Sequence, residues 1–462
     1  MTTQANRLKG EFRGRTIRPG DGGYDEARKV YNGLIDRRPA LIVEAAGPDD
    51  AAAVVDLARD HRLPLAVRGG GHGIAGFATC DDGVVLDLSA MKDIRVDPDR
   101  RTVRAGGGCT WDELNRATHA FGLATTGGIV STTGIAGLTL GGGIGFLARR
   151  CGLACDNLVS AEVVTAAGEV VTAGPDHHGD LFWALRGGGG NFGAVTSFEY
   201  RLHPVGEIVG GPTFFRPRPE VLHGYVDLVR NAPEELGTVL GLALAPPAPF
   251  IPEEWHGRPV CVVISCWTGP AEEAGTTLAA VERLGPVVGR HVGPMPYPVI
   301  NTLFDELLPP GLRHYWKGQH IHDLPDQAID AHLEFASTMP SPETATLWFS
   351  LDGAAGRVGP DETAFAYRDA AFAVGLGASW RDPADDEANV EWSRAYDRAV
   401  RPFALDGGYV NFMAADDGDR VQANYLGNYD RLAQVKRRYD PDNLFRLNHN
   451  IRPEAPGGED VG

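Results

Sequence analysis

Three clusters of glycine constrain this chain more than any other feature. They are RGGGHGIAG (Arg68 to Gly76), GIAGLTLGGGIG (Gly134 to Gly145, six glycines in twelve positions) and RGGGGNFG (Arg186 to Gly193). Overall, 60 of the 462 residues are glycine, against a usual share of about 7%. Glycine has no Cβ, so its backbone N–H can approach a ligand closely and take φ > 0, and consecutive N–H groups form anion-binding nests. One such loop is ordinary turn chemistry. Three in one half of a chain point to a large phosphorylated cofactor.

The first cluster contains a decoy. Gly71-His72-Gly73-Ile74-Ala75-Gly76 matches the dinucleotide fingerprint G-x-G-x-x-G and follows a strand-like run, Leu63 to Val67. That fingerprint needs a helix starting inside the glycines, its N-terminus facing the pyrophosphate. Here Phe77 to Gly83 is polar and rich in breakers, and a second strand, Gly83 to Leu88, follows. The Rossmann reading therefore fails. A phosphate P-loop fails because Gly-Lys-Ser/Thr does not occur.

The rest of the chain falls into three stretches. Residues 38–207 alternate strand and helix signals. A helix opens at Pro48-Asp49-Asp50 and runs to His61, a strand is expected over Arg101 to Gly108, and Thr110-Trp111-Asp112-Glu113 is a capping box whose helix runs toward Phe121 and stops at Gly122. Leu158 to Val164 and Glu169 to Thr172 read as a hairpin. Residues 208–400 carry strand-like runs at Val260 to Trp267, Thr346 to Leu351 and Ala371 to Trp380, with a helix over Ala271 to Leu284. This is the pattern of an antiparallel sheet with helices on one side. Residues 401–462 hold a helix from near Asn428 that Asp440-Pro441 stops, then an acidic, Gly-rich tail after Pro453. Asp440 and Asp442 read as a helix-end turn. The fold class is α+β in two domains.

Composition excludes several function classes. The net charge is −18, the wrong sign for a nucleic-acid backbone or an anionic membrane surface. No run of about 18 apolar residues suggests a membrane-spanning helix, and the start MTTQANRLKG has no apolar core of a secretory signal. Six cysteines in so long a chain are not a disulfide framework, and a reduced cytosol is expected. Cys151 and Cys155 have CxxxC spacing without a matching pair, and adjacent His177-His178 suits a surface turn better than a metal site.

In order along the chain, RGGGHGIAG, GLTLGGGIGFLARRCGLACDN (Gly137 to Asn157), DLFWALRGGGGNFGAVTSF (Asp180 to Phe198), YVNF (Tyr409 to Phe412) and YLGNYDRLAQVKRRYDPDNLFRLNHNI (Tyr425 to Ile451) resemble the FAD-linked oxidases of the berberine-bridge type, in the vanillyl-alcohol-oxidase superfamily. The resemblance implies a PCMH-type FAD-binding fold over 38–207, a substrate domain over 208–400 and a C-terminal segment, 401–462, that returns to the FAD domain. It implies covalent FAD on the flavin 8α carbon through His72, chemistry that suits a neutral imidazole nitrogen. The second flavin link of many relatives, a cysteine, falls at Val130 within Val130-Ser131-Thr132-Thr133-Gly134, so a single histidyl link is expected. Cofactor contacts are implied for Arg68, Gly69, Gly70, Gly71, Gly73, Thr133, Gly134, Gly137, Gly141, Gly142, Gly143, Asn157, Val195, Asn448 and Asn450. Leu138 stands where many relatives place a cofactor-facing histidine.

The same resemblance implies two-electron oxidation of a small-molecule C–OH, C–N or C–H centre, with hydride passing to flavin and then to dioxygen, giving hydrogen peroxide. A substrate that loses hydride also loses a proton and needs a base within about 3 Å. Tyr409, in the Y-x-N-F match, is the first candidate and Tyr367 the second. The position that governs dioxygen access in the family falls at Gly128, and a glycine there leaves the way open. A dehydrogenase using another acceptor and a flavin carrier without turnover stay as alternatives.

Overall fold

The computed structural model describes residues 12–454; the opening residues weighed above as a signal and the end of the acidic tail lie outside them. Three main sheets organise these residues. The first is four-stranded, in the order Arg15–Ile17, Leu41–Glu44, Val84–Asp87, Leu65–Arg68. Its last three strands run parallel, bridged by the helix Pro48–His61, which opens with proline at its first turn and closes on Arg62 in the left-handed region. The second is a five-stranded antiparallel sheet, Ile94–Asp97, Thr102–Gly106, Ala194–Arg201, Leu158–Val164, Val170–Ala173. The hairpin read from the sequence is its edge.

The third sheet is antiparallel and the largest. Its main path is Val287–Arg290, Glu207–Phe215, Pro259–Trp267, Leu236–Leu244, Ala345–Ser350, Phe372–Trp380, Arg313–Ile321, and Gly293–Pro296 pairs beside Glu207–Phe215. Side chains alternate across a strand, so each strand serves two cores. One face, with Leu240, Leu242, Trp348, Val374 and Leu376, packs under Pro219–Asn231, Ala274–Glu282, Asp326–Ser337 and Asp386–Val400. The other face, with Val239, Trp316, Leu347 and Phe349, packs toward the glycine loops. The α+β reading holds, with helices on one side of the large sheet.

Element ends differ from the sequence reading by small, explicable amounts. The capping box at Thr110 forms, Thr110 Oγ1 accepting from Glu113 N–H and the Glu113 carboxylate from Thr110 N–H. Its helix stops at His119, and a tighter turn carries the chain to Gly122 at φ +65. The helix expected over Ala271 to Leu284 is a 3₁₀ turn, Ala271–Glu273, that continues into Ala274–Glu282. The last helix is Tyr429–Tyr439. Beyond it Asp440, fully buried, pairs with Lys436 at 2.6 Å and accepts from the backbone of Leu444 and Phe445, a helix-end turn. No helix among the described residues is long and apolar enough to cross a membrane, and no cluster of His, Cys, Asp or Glu among them could hold a metal.

Candidate active site

The first two glycine clusters meet back to back. Gly70 and Gly134 touch through bare backbone: a Cβ on Gly70 would lie 2.5 Å from Gly134 N, and one on Gly134 2.4 Å from Gly70 N. The third cluster faces them across a large cavity whose empty space is about 1860 Å³, open mouth included. Among the lining residues are Gly69, Gly70, Gly71, His72, Gly73, Gly128, Thr133, Gly134, Gly137, Leu138, Val195, Tyr409 and Asn448, thirteen positions singled out from the sequence. Around Gly73, Gly137 and Gly190 an added Cβ would meet no protein atom within 4 Å. The backbone there is open to the cavity, as a close-fitting phosphorylated ligand requires.

On the same cavity, Asn448 Oδ1 and Tyr425 Oη are buried and have no partner among the described residues. Buried polar atoms are nearly always satisfied, so these await a ligand. Bare loops and orphaned polar atoms in one cleft fit a dinucleotide such as FAD.

His72 sits on the loop after Leu65–Arg68. Its Nε2 is 3.0 Å from Thr132 Oγ1, and its Nδ1 lies 3.4 Å from Thr133 Oγ1. The Tyr31 ring stacks on the imidazole at 3.6 Å between centroids, and Tyr31 also stacks on His314 at 5.1 Å. Burial, with His314 nearby, pulls the His72 pKa down to about 3. The imidazole is therefore neutral at pH 7, the form that is a nucleophile.

Tyr409 is 2% exposed and lines the cavity. Its Oη accepts hydrogen bonds from Gly143 N–H at 3.0 Å and Asn411 Nδ2 at 2.9 Å. Among the described residues its own proton has no acceptor. Burial pushes this phenol up to about 12, against the pull of the two donors. The oxygen is thus held where a negative charge would be stabilised, but it is protonated at neutral pH.

Seven other sequence candidates do not line the cavity. Tyr367 is the clearest correction: its hydroxyl donates to Ala423 O and accepts from Gly407 N–H, so it holds two loops together and stands off the cavity wall. Arg68 pairs with Asp87 at 2.6 Å and caps Lys29 O, bracing the His72 loop from behind. Asn157 donates to Cys151 O and Leu153 O and takes a contact from His203 Nε2, pinning its own turn. Gly141, Gly142 and Gly143 are packing glycines, where a Cβ would strike Asn411, Phe365 and Ala154; Gly143 reaches the site only through the bond to Tyr409. Asn450 keeps a buried, unpartnered Oδ1 but stands off the cavity wall.

Reading the sequence missed Tyr31, Thr132, His314, Trp316, Leu347, Phe349 and Asn411. Asn411 was inside the quoted YVNF motif. His314 with Trp316, and Leu347 with Phe349, are period-2 pairs on strands; the pairing was legible, but not which face looks on the cavity.

At Gly128 the structure qualifies the open-gate expectation. A Cβ there would sit 2.6 Å from Leu138 Cδ1. The space that glycine vacates is already filled by the leucine that replaces the family's histidine.

The family model described as "FAD binding domain" matches residues 39–174, and the one described as "Berberine and berberine like" matches residues 408–452. An FAD-linked oxidoreductase of Bacillus subtilis, YgaK, is 32% identical over 458 residues, covering 96% of this chain and 98% of that one. (R)-6-hydroxynicotine oxidase of Paenarthrobacter nicotinovorans is 32% identical over 456 residues, with 96% and 98% covered. Among solved structures, 6-hydroxy-D-nicotine oxidase from Arthrobacter nicotinovorans superposes with a TM-score of 0.86 at 30% identity, covering 97% of this chain and all of that one. Berberine bridge enzyme from Eschscholzia californica shares the fold, with a TM-score of 0.85 at 21% identity and 99% of both chains covered.

Proposed function

The chain belongs to the FAD-linked oxidoreductases of the berberine-bridge type, and from that membership we propose that it is an oxidase of a small molecule, carrying FAD on His72 alone. In this reading residues 38–207, with the strand Arg15–Ile17 added to their first sheet, are the FAD-binding unit, 208–400 the substrate unit, and 401–462 the C-terminal segment, whose described residues return to the first. The observation that carries this reading is the convergence of His72, the open glycine backbones and Tyr409 on one cavity. The glycine loops would hold the pyrophosphate, and a neutral His72 would bond the flavin 8α carbon. When bound, FAD supplies a two-electron acceptor for a C–OH, C–N or C–H centre, with dioxygen as the final oxidant and hydrogen peroxide as co-product. The ionised fraction of Tyr409, its phenolate oxygen steadied by Gly143 N–H and Asn411, takes the substrate proton. The six cysteines, all buried and unpaired, suit a reducing cytosol.

Acid-precipitated protein is expected to stay yellow, and His72→Ala to release its flavin into the supernatant. Peptide mass spectrometry should find flavin on the His72 peptide only. A colourless wild-type precipitate, or flavin on a cysteine, overturns the single histidyl link. A second reading, a dehydrogenase with another acceptor, draws support from Leu138 filling the space beside Gly128. Substrate-reduced enzyme that stays reduced for minutes in air yet reoxidises at once with a quinone would establish that reading instead.

A further inference from the structure

The cavity has no formal charge on its walls. Of the lining residues, none is Asp, Glu, Lys or Arg. On the side of the large sheet this follows from register. Ala345–Ser350 turns Leu347 and Phe349 to the cavity, and Thr346 and Trp348 to the other face. The neighbouring strand places Ala373, Gly375 and Gly377 opposite Phe349, Leu347 and Ala345. Gly377 in turn pairs with Trp316, whose indole lies across the glycines, with Cε2 2.7 Å from where a Gly377 Cβ would be. Phe412 packs on Trp316 and on Phe349, at 5.5 Å between centroids in each case. Phe304 and Leu308 extend this wall.

Two buried polar atoms interrupt it, His314 Nε2 and the Trp316 indole Nε1, neither with a partner among the described residues. His314 is 1% exposed and lines the cavity. Its Nδ1 is taken by Ser379 Oγ at 2.8 Å, while its Nε2 is buried with no partner among the described residues. An unpaired buried nitrogen is costly unless a ligand satisfies it.

We propose that the substrate of this site is an uncharged aromatic molecule whose ring packs on the Trp316, Leu347, Phe349 and Phe412 wall and whose single hydroxyl or carbonyl oxygen is held by His314 Nε2. This rests on the reading of the cavity as a flavin site. A sugar would bring more hydroxyls than the two orphaned polar atoms of this wall can satisfy. An ammonium would enter a pocket without a carboxylate. A planar apolar ring gains from burial against aromatic faces.

The test titrates the flavin-loaded protein anaerobically with 4-methoxybenzyl alcohol, 4-methoxytoluene, cellobiose and N-methylbenzylamine. Affinity is read from the perturbation of the flavin absorbance, and bleaching is recorded separately. The aromatic alcohol should bind at least tenfold tighter than the disaccharide or the ammonium. His314→Leu should erase the preference for the alcohol over 4-methoxytoluene, and His314→Gln, which keeps a hydrogen-bonding group, should restore part of it. Leu347→Asp should weaken the alcohol at least tenfold and favour the ammonium; Leu347→Asn checks the loss of apolar wall without a buried charge, with flavin content and Tm as folding controls. Cellobiose or the ammonium binding as tightly as the alcohol overturns the inference, as does binding indifferent to position 314. An aromatic alcohol that binds but never bleaches the flavin upholds it and counts against the oxidase reading, so the two fail separately.

Discussion

Two side chains carry opposite electrostatic problems. Burial makes His72 neutral, with its pKa drawn down to about 3, and keeps Tyr409 protonated, pushed up to about 12. The first suits attachment at neutral pH. The second means a Tyr409 base works through its small ionised fraction, which grows tenfold per pH unit below that value. Anaerobic flavin reduction should therefore accelerate as pH rises from 7 to 10, and Tyr409→Phe should slow it by roughly 10²-fold and flatten the profile. A Tyr409→Phe enzyme with wild-type rate and profile would reduce Tyr409 to cavity wall. At the dioxygen position the pair matters, not the glycine alone. Leu138→Ala should raise the rate of reoxidation in air by about tenfold, while Gly128→Leu, whose side chain would press on Leu138 Cδ1, should lower reoxidation more than it lowers anaerobic reduction. Stopped-flow traces of both half-reactions separate these outcomes. His72 and Tyr409 were legible because each stands in a distinctive motif; Leu138 was legible as a departure, but that it fills the space beside Gly128 was not.

At the scale of elements, the glycine loops do two jobs that alanine substitutions distinguish. Gly134 lies against the backbone of Gly70, where neither side can yield, whereas Gly73 opens only on the cavity. Gly134→Ala should destabilise flavin-free protein by about 1–3 kcal/mol in thermal unfolding. Gly73→Ala should leave that Tm near wild type and lower flavin incorporation instead. Equal loss of Tm in both would mean that the open loop is structural. The capping box at Thr110 and the helix Pro48–His61 were readable because caps and first-turn prolines act within one turn of chain. The GLACDN turn shows the limit. Asn157 stands in a motif that the resemblance assigns to the cofactor, yet its amide is spent on Cys151 and Leu153 carbonyls. Whether a polar side chain serves a ligand or its own turn depends on what lies across from it.

Across the described residues, four histidines besides His72 are buried as neutral groups. Burial lowers His320 and His332 to about 3 and His314 and His449 to about 4, with an ordinary value near 6.5 in the unfolded chain. The unfolded chain therefore takes up protons first as pH falls. Stability is full above about pH 6.5 and is lost progressively toward pH 4, by up to about 2 kcal/mol per group at pH 5. The Tm should fall by several degrees between pH 7 and pH 5, and His332→Gln, remote from the cavity wall, should make that fall shallower. A flat profile over that range would mean these histidines are solvated. The sequence by itself determined the α+β class, the glycine loops and the motif carrying His72, since turns, caps and bare backbone are local and need no partner to be recognised. Only the tertiary structure decided that Tyr367 is a strut, that Leu138 fills the space beside Gly128, and that His314 and the apolar row of the large sheet face the cavity. Strand alternation tells which residues share a face, but which face meets the glycine loops is set by how sheets and helices stack to bury apolar surface.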